Sequence, residues 1–470
     1  MKTIPLSLLL LSSLQAAVGP DYQRPELTVP ADFRDTWQVA APADHLSRGE
    51  WWKAFSDPAL DALEGRALAA NEDLHAAAAR VQQARAAAGL ARSAYFPSVS
   101  LDSSISRDRY SGTIDNPLPQ QQSTTYRGGL DASWELDLFG RVRRQNEGAR
   151  AEADASAATF ESVRLTLTAD VASNYFALRA LDHETALVAA GVGLRRRALD
   201  LVVARRSSGA ATDFDVARVE TELASTEAEA SALANRRAAL QNAIAVLVGE
   251  TAPGFALAPA AIPALAPLTV PLVLPSQLLE RRPDVAAAER ALIAANARIG
   301  VAKTAFFPSL SLTGSAGFAS NDVDRLARSD SRAWSIGPSL YLPIFQGGRN
   351  RANLARSEAA RDEAAAAYRQ QVLVAFREVQ DALTATRILA EQNAAQDQAR
   401  AAARRAVQLA QTRFDAGYVN LLEVIDAQRT SLAVERASAQ LEAQRLTNNV
   451  SLIKAIGGGW NSPFVVTASR

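Results

Sequence analysis

The sequence predicts a mixed α and β membrane protein built from two tandem copies of one unit. Each copy supplies two transmembrane β-strands and long α-helices. Three observations carry this prediction. Ala94-Tyr95-Phe96-Pro97-Ser98-Val99-Ser100-Leu101 returns 211 residues later as Ala305-Phe306-Phe307-Pro308-Ser309-Leu310-Ser311-Leu312, and Gly209 and Gly249 return 208 residues later as Gly417 and Gly457. Four segments of about ten residues alternate between apolar and small polar side chains. Two stretches of roughly 65 residues hold no proline and few glycines, as uninterrupted helices require.

Composition excludes several classes. The 470 residues carry 50 basic and 50 acidic side chains, so no electrostatic footprint for nucleic acid exists. Aromatics are only 6% and alanine is abundant, which suits long helices packed through small residues. Cysteine is absent, excluding disulfides and thiolate metal sites. The three histidines, His45, His75 and His183, are far apart in sequence. No metal, cofactor or catalytic site is expected.

Taken in order, residues 1–17 read as a signal peptide: Lys2, an apolar run over 4–14, then Ala16-Ala17. That run is shorter than the ~20 residues a bilayer-spanning helix needs, and no other stretch of ~18 apolar residues exists. Residues 18–58 form a proline-marked equatorial segment. The first repeat covers 59–250, with helices over 60–93, 141–207 and 213–248 and strands over 97–106 and 128–139. A proline-rich linker, 251–283, mirrors the first irregular segment. The second repeat covers 284–457, with helices over 285–304, 349–416 and 421–456 and strands over 308–318 and 333–345. Residues 458–470 are a C-terminal tail.

The strands justify the membrane assignment. Leu130, Ala132, Trp134 and Leu136 alternate with Asp131, Ser133 and Glu135; Leu310 and Leu312 alternate with Ser309, Ser311 and Thr313. One apolar and one polar face at this length is the pattern of a transmembrane barrel strand. Tyr95, Phe96, Phe139, Phe306, Phe307 and Phe345 cluster at the strand ends, as interface girdles do. The hairpin loops, about 107–125 and 319–332, are long and polar. Four strands cannot close a barrel, and an open edge in lipid leaves backbone groups unpaired at several kcal/mol each. Copies of the chain must therefore complete the sheet, giving eight, twelve or sixteen strands.

Each long helix runs ~100 Å at 1.5 Å per residue, more than twice the thickness of a bilayer. Phe160, Val163, Leu167, Val171 and Phe176 mark its packing seam. Gly209 and Gly417 stop the two helices, and a shorter helix folds back after each.

Several motifs resemble one family. They are Gly19-Pro20-Asp21-Tyr22-Gln23-Arg24-Pro25, Trp51-Trp52, Trp134-Glu135-Leu136-Asp137-Leu138-Phe139-Gly140, Leu279-Glu280-Arg281-Arg282-Pro283-Asp284-Val285 and Gly457-Gly458-Gly459-Trp460. With them the chain resembles, over nearly its whole length, the outer membrane factors. These are the TolC-like channels of tripartite efflux systems, here of the subgroup serving resistance-nodulation-division (RND) pumps. The resemblance implies a homotrimer whose 12-stranded outer-membrane β-barrel is continued by a periplasmic α-helical barrel. It also implies contact with outer membrane lipid, a periplasmic adaptor protein and an inner-membrane RND pump. The function implied is a passive exit duct for drugs or other small toxic solutes in a Gram-negative envelope, not an enzyme. A type I protein-secretion channel has the same architecture; an envelope structural protein or enzyme is the remaining alternative.

The sequence departs from the subgroup at two places. Ala16 stands where members commonly carry a lipobox cysteine, so this sequence is not lipidated there. Phe414 stands where members often have a tyrosine bonded to the acid matching Asp215, and phenylalanine has no hydroxyl for that bond. The resemblance places the channel constriction near the last helical turn. Its candidate residues are Glu423, Asp426 and Arg429, with Asp215, Arg218 and Phe414. Glu423 and Asp426 are three residues apart, as are Asp426 and Arg429, so each pair shares a helix face. Thr212 with Asp215 and Asn420 with Glu423 also fit a helix capping box. The turns at Gly209 and Gly417 are the expected points of adaptor contact.

Overall fold

The computed structural model describes residues 17–25, 49–113, 122–263 and 282–458. The expected signal peptide, most of the 18–58 and 251–283 segments and the C-terminal tail lie outside the described residues. Helices α1 (Pro58–Ala70) and α2 (Glu72–Ser93) precede strands β1 (Ser98–Arg109) and β2 (Gln122–Leu136). Helices α3 (Arg141–Ser207) and α4 (Asp213–Leu247) complete the first repeat. The second repeat holds α5 (Pro283–Thr304), β3 (Ser309–Ser320), β4 (Arg332–Tyr341), α6 (Arg349–Asp415) and α7 (Leu421–Ala455). The long helices α3 and α6 both have 67 residues, and the return helices α4 and α7 both have 35. The chain divides into two compact units, one of Met1–Val29, Arg80–Ala157 and Ala287–Arg369, the other of Pro30–Ala79, Ala158–Ala286 and Gln370–Arg470.

The first unit contains the sheet, a four-stranded antiparallel meander in the order β1-β2-β3-β4. Its registers put Leu101, Leu130, Ala316 and Trp334 in one row across the strands, and Val99, Ala132, Gly314 and Ile336 in another. Because side chains alternate with period two, these rows share one apolar face. The opposite face carries rows such as Ser100, Asp131, Ser315 and Ser335. Ser315 and Ser335 share a 2.8 Å hydrogen bond there. The apolar face is bare: Leu101 is 78% exposed and Trp334 76%. On the polar face β2 and β3 approach closely at Gly129 and Gly317, where a Cβ on Gly317 would lie 2.4 Å from the Gly128 carbonyl oxygen.

The turn from β2 into α3 explains the Trp-Glu-Leu-Asp-Leu-Phe-Gly motif. Asp137 accepts hydrogen bonds from the Val142 and Arg143 amides at 3.1 and 2.9 Å, satisfying two donors at the start of α3. Arg141 pairs with Glu135, Trp134 donates to the Tyr95 carbonyl at 3.0 Å, and Phe139 stacks on Phe307 at 4.9 Å. Residues 17–25 lie along this junction. The Val18 amide donates to the Phe139 carbonyl at 3.0 Å, Arg144 pairs with Asp21 at 2.7 Å, and Arg24 binds both oxygens of Glu289.

The second unit has the main apolar core. Trp51, Trp52 and Phe55 form a short 3-10 turn packed on Leu60, Leu63, Tyr175, Phe176, Leu178 and Ile244. Phe160 and Val163 pack against this cluster, and Leu167, Val171 and Phe176 lie within it. Asp57 caps α1 and accepts the Tyr175 hydroxyl at 2.6 Å. Buried Asp182 binds Arg179 and Arg237 at 2.8 and 2.6 Å and accepts the Ala260 amide, so it fastens the segment after α4. Arg282 binds Asp284, Glu378 and the Ala455 carbonyl, fastening the start of α5.

The three largest differences from the sequence reading are these. The helix expected over 60–93 is broken at Asn71, whose extended backbone ends α1; its side chain accepts the Leu74 amide at 2.9 Å and donates to the Leu247 carbonyl at 3.0 Å. Strand β2 starts at Gln122, six residues before the expected start at 128, because Gln122, Ser123 and Thr124 pair with Arg109, Asp108 and Arg107. Strand β4 stops at Tyr341 rather than 345, since Pro343 has no amide to donate.

Candidate functional site

The candidate constriction lies in the second unit, where α3 turns into α4 and α6 turns into α7. Both turns are built alike. Gly209 and Gly417 take the left-handed conformation at φ +79° and +78°. The Gly209 and Ala210 amides return to the Arg206 and Arg205 carbonyls; those of Gly417 and Tyr418 return to Phe414 and Arg413. This is the paired closure of a Schellman motif, and it favours glycine. No heavy atom lies within 4 Å of a Cβ built on either glycine. Between the turns, Val202 of α3, Val219 of α4 and Ile425 of α7 form a small apolar cluster.

Beside that cluster Arg218, Glu222, Asp426 and Arg429 line a cavity of about 20 Å³ with Val219 and Leu422. Arg429 donates to Asp426 at 2.8 Å and lies 3.8 Å from Glu222. Glu222 is also 3.9 Å from the buried Arg195 of α3. Four charges from α4 and α7 thus balance around one point. The Asp426 and Arg429 side chains are 63% and 60% exposed, so within one chain their pairing is worth at most about 1 kcal/mol. Their importance is positional. The charges compensate one another instead of presenting a bare acid.

The other candidates do not line this cavity. Asp215 completes a reciprocal capping box with Thr212. Its carboxylate accepts the Thr212 amide and hydroxyl at 2.9 and 2.8 Å; these bonds, with Arg218 adding to them, hold it below the usual carboxylate range. Asn420 caps α7 by accepting the Glu423 amide, and the Glu423 carboxylate lies 3.8 Å from Arg413. The Phe414 ring lies under the Arg205 guanidinium, 5.3 Å from its centroid. The structure therefore brings together Arg218, Asp426 and Arg429, keeps Asp215 within electrostatic reach of Arg218, and leaves Glu423 and Phe414 apart. Sequence reasoning missed Glu222. Its signal was the four-residue spacing from Arg218, which puts both on one face of α4. Among the described residues no group of three His, Cys, Asp or Glu side chains could hold a metal ion.

An open sheet with a bare apolar face, two 67-residue helices and a charged cluster beside their turns define a channel-forming protein of the outer membrane. Residues 63–250 and 274–458 match the model of the family described as outer membrane efflux protein. The chain is 34% identical to the pyoverdine export outer membrane protein OpmQ of Pseudomonas putida, covering 98% of this chain and 97% of OpmQ. It is 32% identical to the cation efflux system protein CusC of Escherichia coli, over 94% of this chain and 96% of CusC. The solved structure of the outer-membrane channel OprN superposes with a TM-score of 0.84 at 33% identity, covering 94% of this chain and 99% of OprN. The chain belongs to the outer membrane efflux protein family, and its role is that of an outer-membrane exit duct. Among the described residues no helix is long and apolar enough to cross a membrane.

Proposed function

We propose that three copies of this chain close a twelve-stranded barrel in the outer membrane and that their long helices enclose a periplasmic tunnel. Drugs or other small toxic solutes leave the periplasm through this conduit without chemistry, driven by an inner-membrane RND pump through a periplasmic adaptor. The observation that carries this reading is the open sheet: β1 and β4 are its edge strands, and among the described residues neither has a partner along its outer side. Lipid penalises such edges heavily, and identical copies relieve the penalty by pairing β4 of one with β1 of the next. The relatives' names, pyoverdine export and cation efflux, support a duct for solutes over one for proteins.

In this reading the Asp426–Arg429 pair, with Arg218 and Glu222, is the constriction. Threefold repetition turns each side chain into a ring; the Arg429–Glu222 contact ties α7 to α4, and Asp426 holds Arg429 beside it. Asp215, Glu423 and Phe414 shape the turns beside it, and the turns at Gly209 and Gly417 meet the adaptor. The mass of the detergent-extracted particle tests the assembly. Three chains per particle are expected; a water-soluble single chain refutes the reading.

A further inference from the structure

The two repeats make the seam between copies readable from the seam inside one copy. Within the chain, β2 and β3 join the first repeat to the second. Trp134 lies opposite Leu312, Leu130 opposite Ala316, and beyond the strand ends Phe139 stacks on Phe307 at 4.9 Å. The repeat carries every one of these positions to a free edge. Residues 305–312 correspond to 94–101, so Leu312 corresponds to Leu101 and Phe307 to Phe96. The end of β2, Trp134-Glu135-Leu136-Asp137-Leu138-Phe139, corresponds to Leu340-Tyr341-Leu342-Pro343-Ile344-Phe345. In this chain Phe96 is 64% exposed and Phe345 90%, whereas their counterparts stack on each other.

We infer that β4 pairs with β1 of the next copy in the register of the β2–β3 seam, with Leu340 opposite Leu101, Ile336 opposite Ile105 and Phe345 stacked on Phe96. This deepens the proposed function, on which it rests, by naming the contacts between copies. The pairing keeps the faces consistent. Leu340 and Ile336 lie on the apolar face with Leu101 and Ile105, so apolar side chains meet apolar ones across the seam.

Barrel geometry separates this register from its nearest rival. Aligning the two hairpins by their own registers, Ser98 with Ser133 and Ser309 with Tyr341, would shift the seam by two residues and set Leu340 opposite Ser103. Inside one copy Leu101 is level with Trp334. The inferred seam sets Trp334 opposite Arg107, an advance of about six residues per four strands. At ~3.3 Å per residue and ~4.8 Å between strands, that advance tilts the strands by about 45°, at the upper end of the usual 35–45°. The rival seam advances about eight residues and tilts them by about 54°, outside that range. The result does not depend on the number of copies.

The chain has no cysteine, so paired cysteines report the register without background. The double variant Leu340→Cys with Leu101→Cys should form covalent oligomers on mild oxidation, reversed by reductant, since directly opposed residues sit within disulfide reach. Leu340→Cys with Ser103→Cys should form few. Cross-linking chiefly in the second variant overturns the register while leaving the duct intact. An extracted oligomer that cross-links in neither variant overturns the seam. An unmodified protein that extracts as a single chain overturns the duct itself. As a second readout, Phe96→Ala and Phe345→Ala should each lower the oligomer's melting temperature, and the double variant by less than their sum; additive effects contradict the stack.

Discussion

Glu64 gives the most quantitative prediction. It occupies the apolar stripe of α1, in step with Leu60, Leu63 and Ala67, and its side chain is fully buried. Neither carboxylate oxygen has a hydrogen-bond partner among the described residues. Burial, reinforced by nearby Asp61, pushes its pKa up from 4.5 to about 9. The folded protein therefore holds this group protonated at pH 7, whereas the unfolded chain ionises it. The sign follows: the unfolded state binds fewer protons between pH 4.5 and 9, so this site costs stability as pH rises through that window. Each pH unit costs about 1.4 kcal/mol, which is about 4 kcal/mol between pH 5.5 and 8.5. Glu64→Gln keeps the shape and cannot ionise. In guanidinium unfolding of the extracted protein, the variant's advantage over wild type should be about 1.4 kcal/mol at pH 5.5 and should grow by about 4 kcal/mol between pH 5.5 and 8.5. The comparison cancels every other titrating group. A difference that stays constant across this range refutes the argument, because it would mean that Glu64 is ionised in the fold.

Three further outcomes follow from named contacts. Arg436 of α7 binds the buried Glu184 of α3 at 2.8 Å and also pairs with Glu229 of α4. Arg436→Ala should cost about 3–5 kcal/mol by stranding Glu184, and adding Glu184→Leu should restore most of it; an effect below about 1 kcal/mol in unfolding experiments contradicts the clamp. Gly317→Ala drives a methyl into the Gly128 carbonyl and should reduce the yield of extracted oligomer, whereas Gly337→Ala, with open space at its Cβ, should not. Equal yields would show that β2 and β3 tolerate separation. Gly417→Ala should destabilise the α6–α7 turn by about 1 kcal/mol through its left-handed backbone alone; an unchanged unfolding midpoint would contradict that strain.

The fold was legible where periodicity and repetition speak together. Leu130, Trp134, Leu310 and Leu312 stood out by alternation, and the recurrence of Phe-Pro at 96–97 and 307–308 tied the strands into pairs. The early start of β2 was not legible, because Gln122, Ser123 and Thr124 have no apolar alternation and gain their strand geometry from β1 across the hairpin. The break at Asn71 was hidden between two alanine-rich helical runs; its side chain caps α2 through the Leu74 amide and is held by the Leu247 carbonyl, far along the chain. At the candidate constriction, the family resemblance pointed to Asp426 and Arg429, and their three-residue spacing put them on one helix face. Glu222 shares a face of α4 with Arg218, and the packing of α7 on α4 brings it to Arg429. Glu64 was readable in principle, since a carboxylate at stripe spacing with Leu60, Leu63 and Ala67 announces a buried charge.

Ion conductance across a planar lipid bilayer tests the central claim most directly. Purified protein added to the bilayer should produce discrete current steps of uniform size, each one assembled conduit. Asp426→Ala and Arg429→Ala should enlarge those steps by unpairing the side chains at the proposed constriction. Bilayers that stay silent with all three proteins, although each is shown to be inserted, would mean that the assembled sheet encloses no continuous passage.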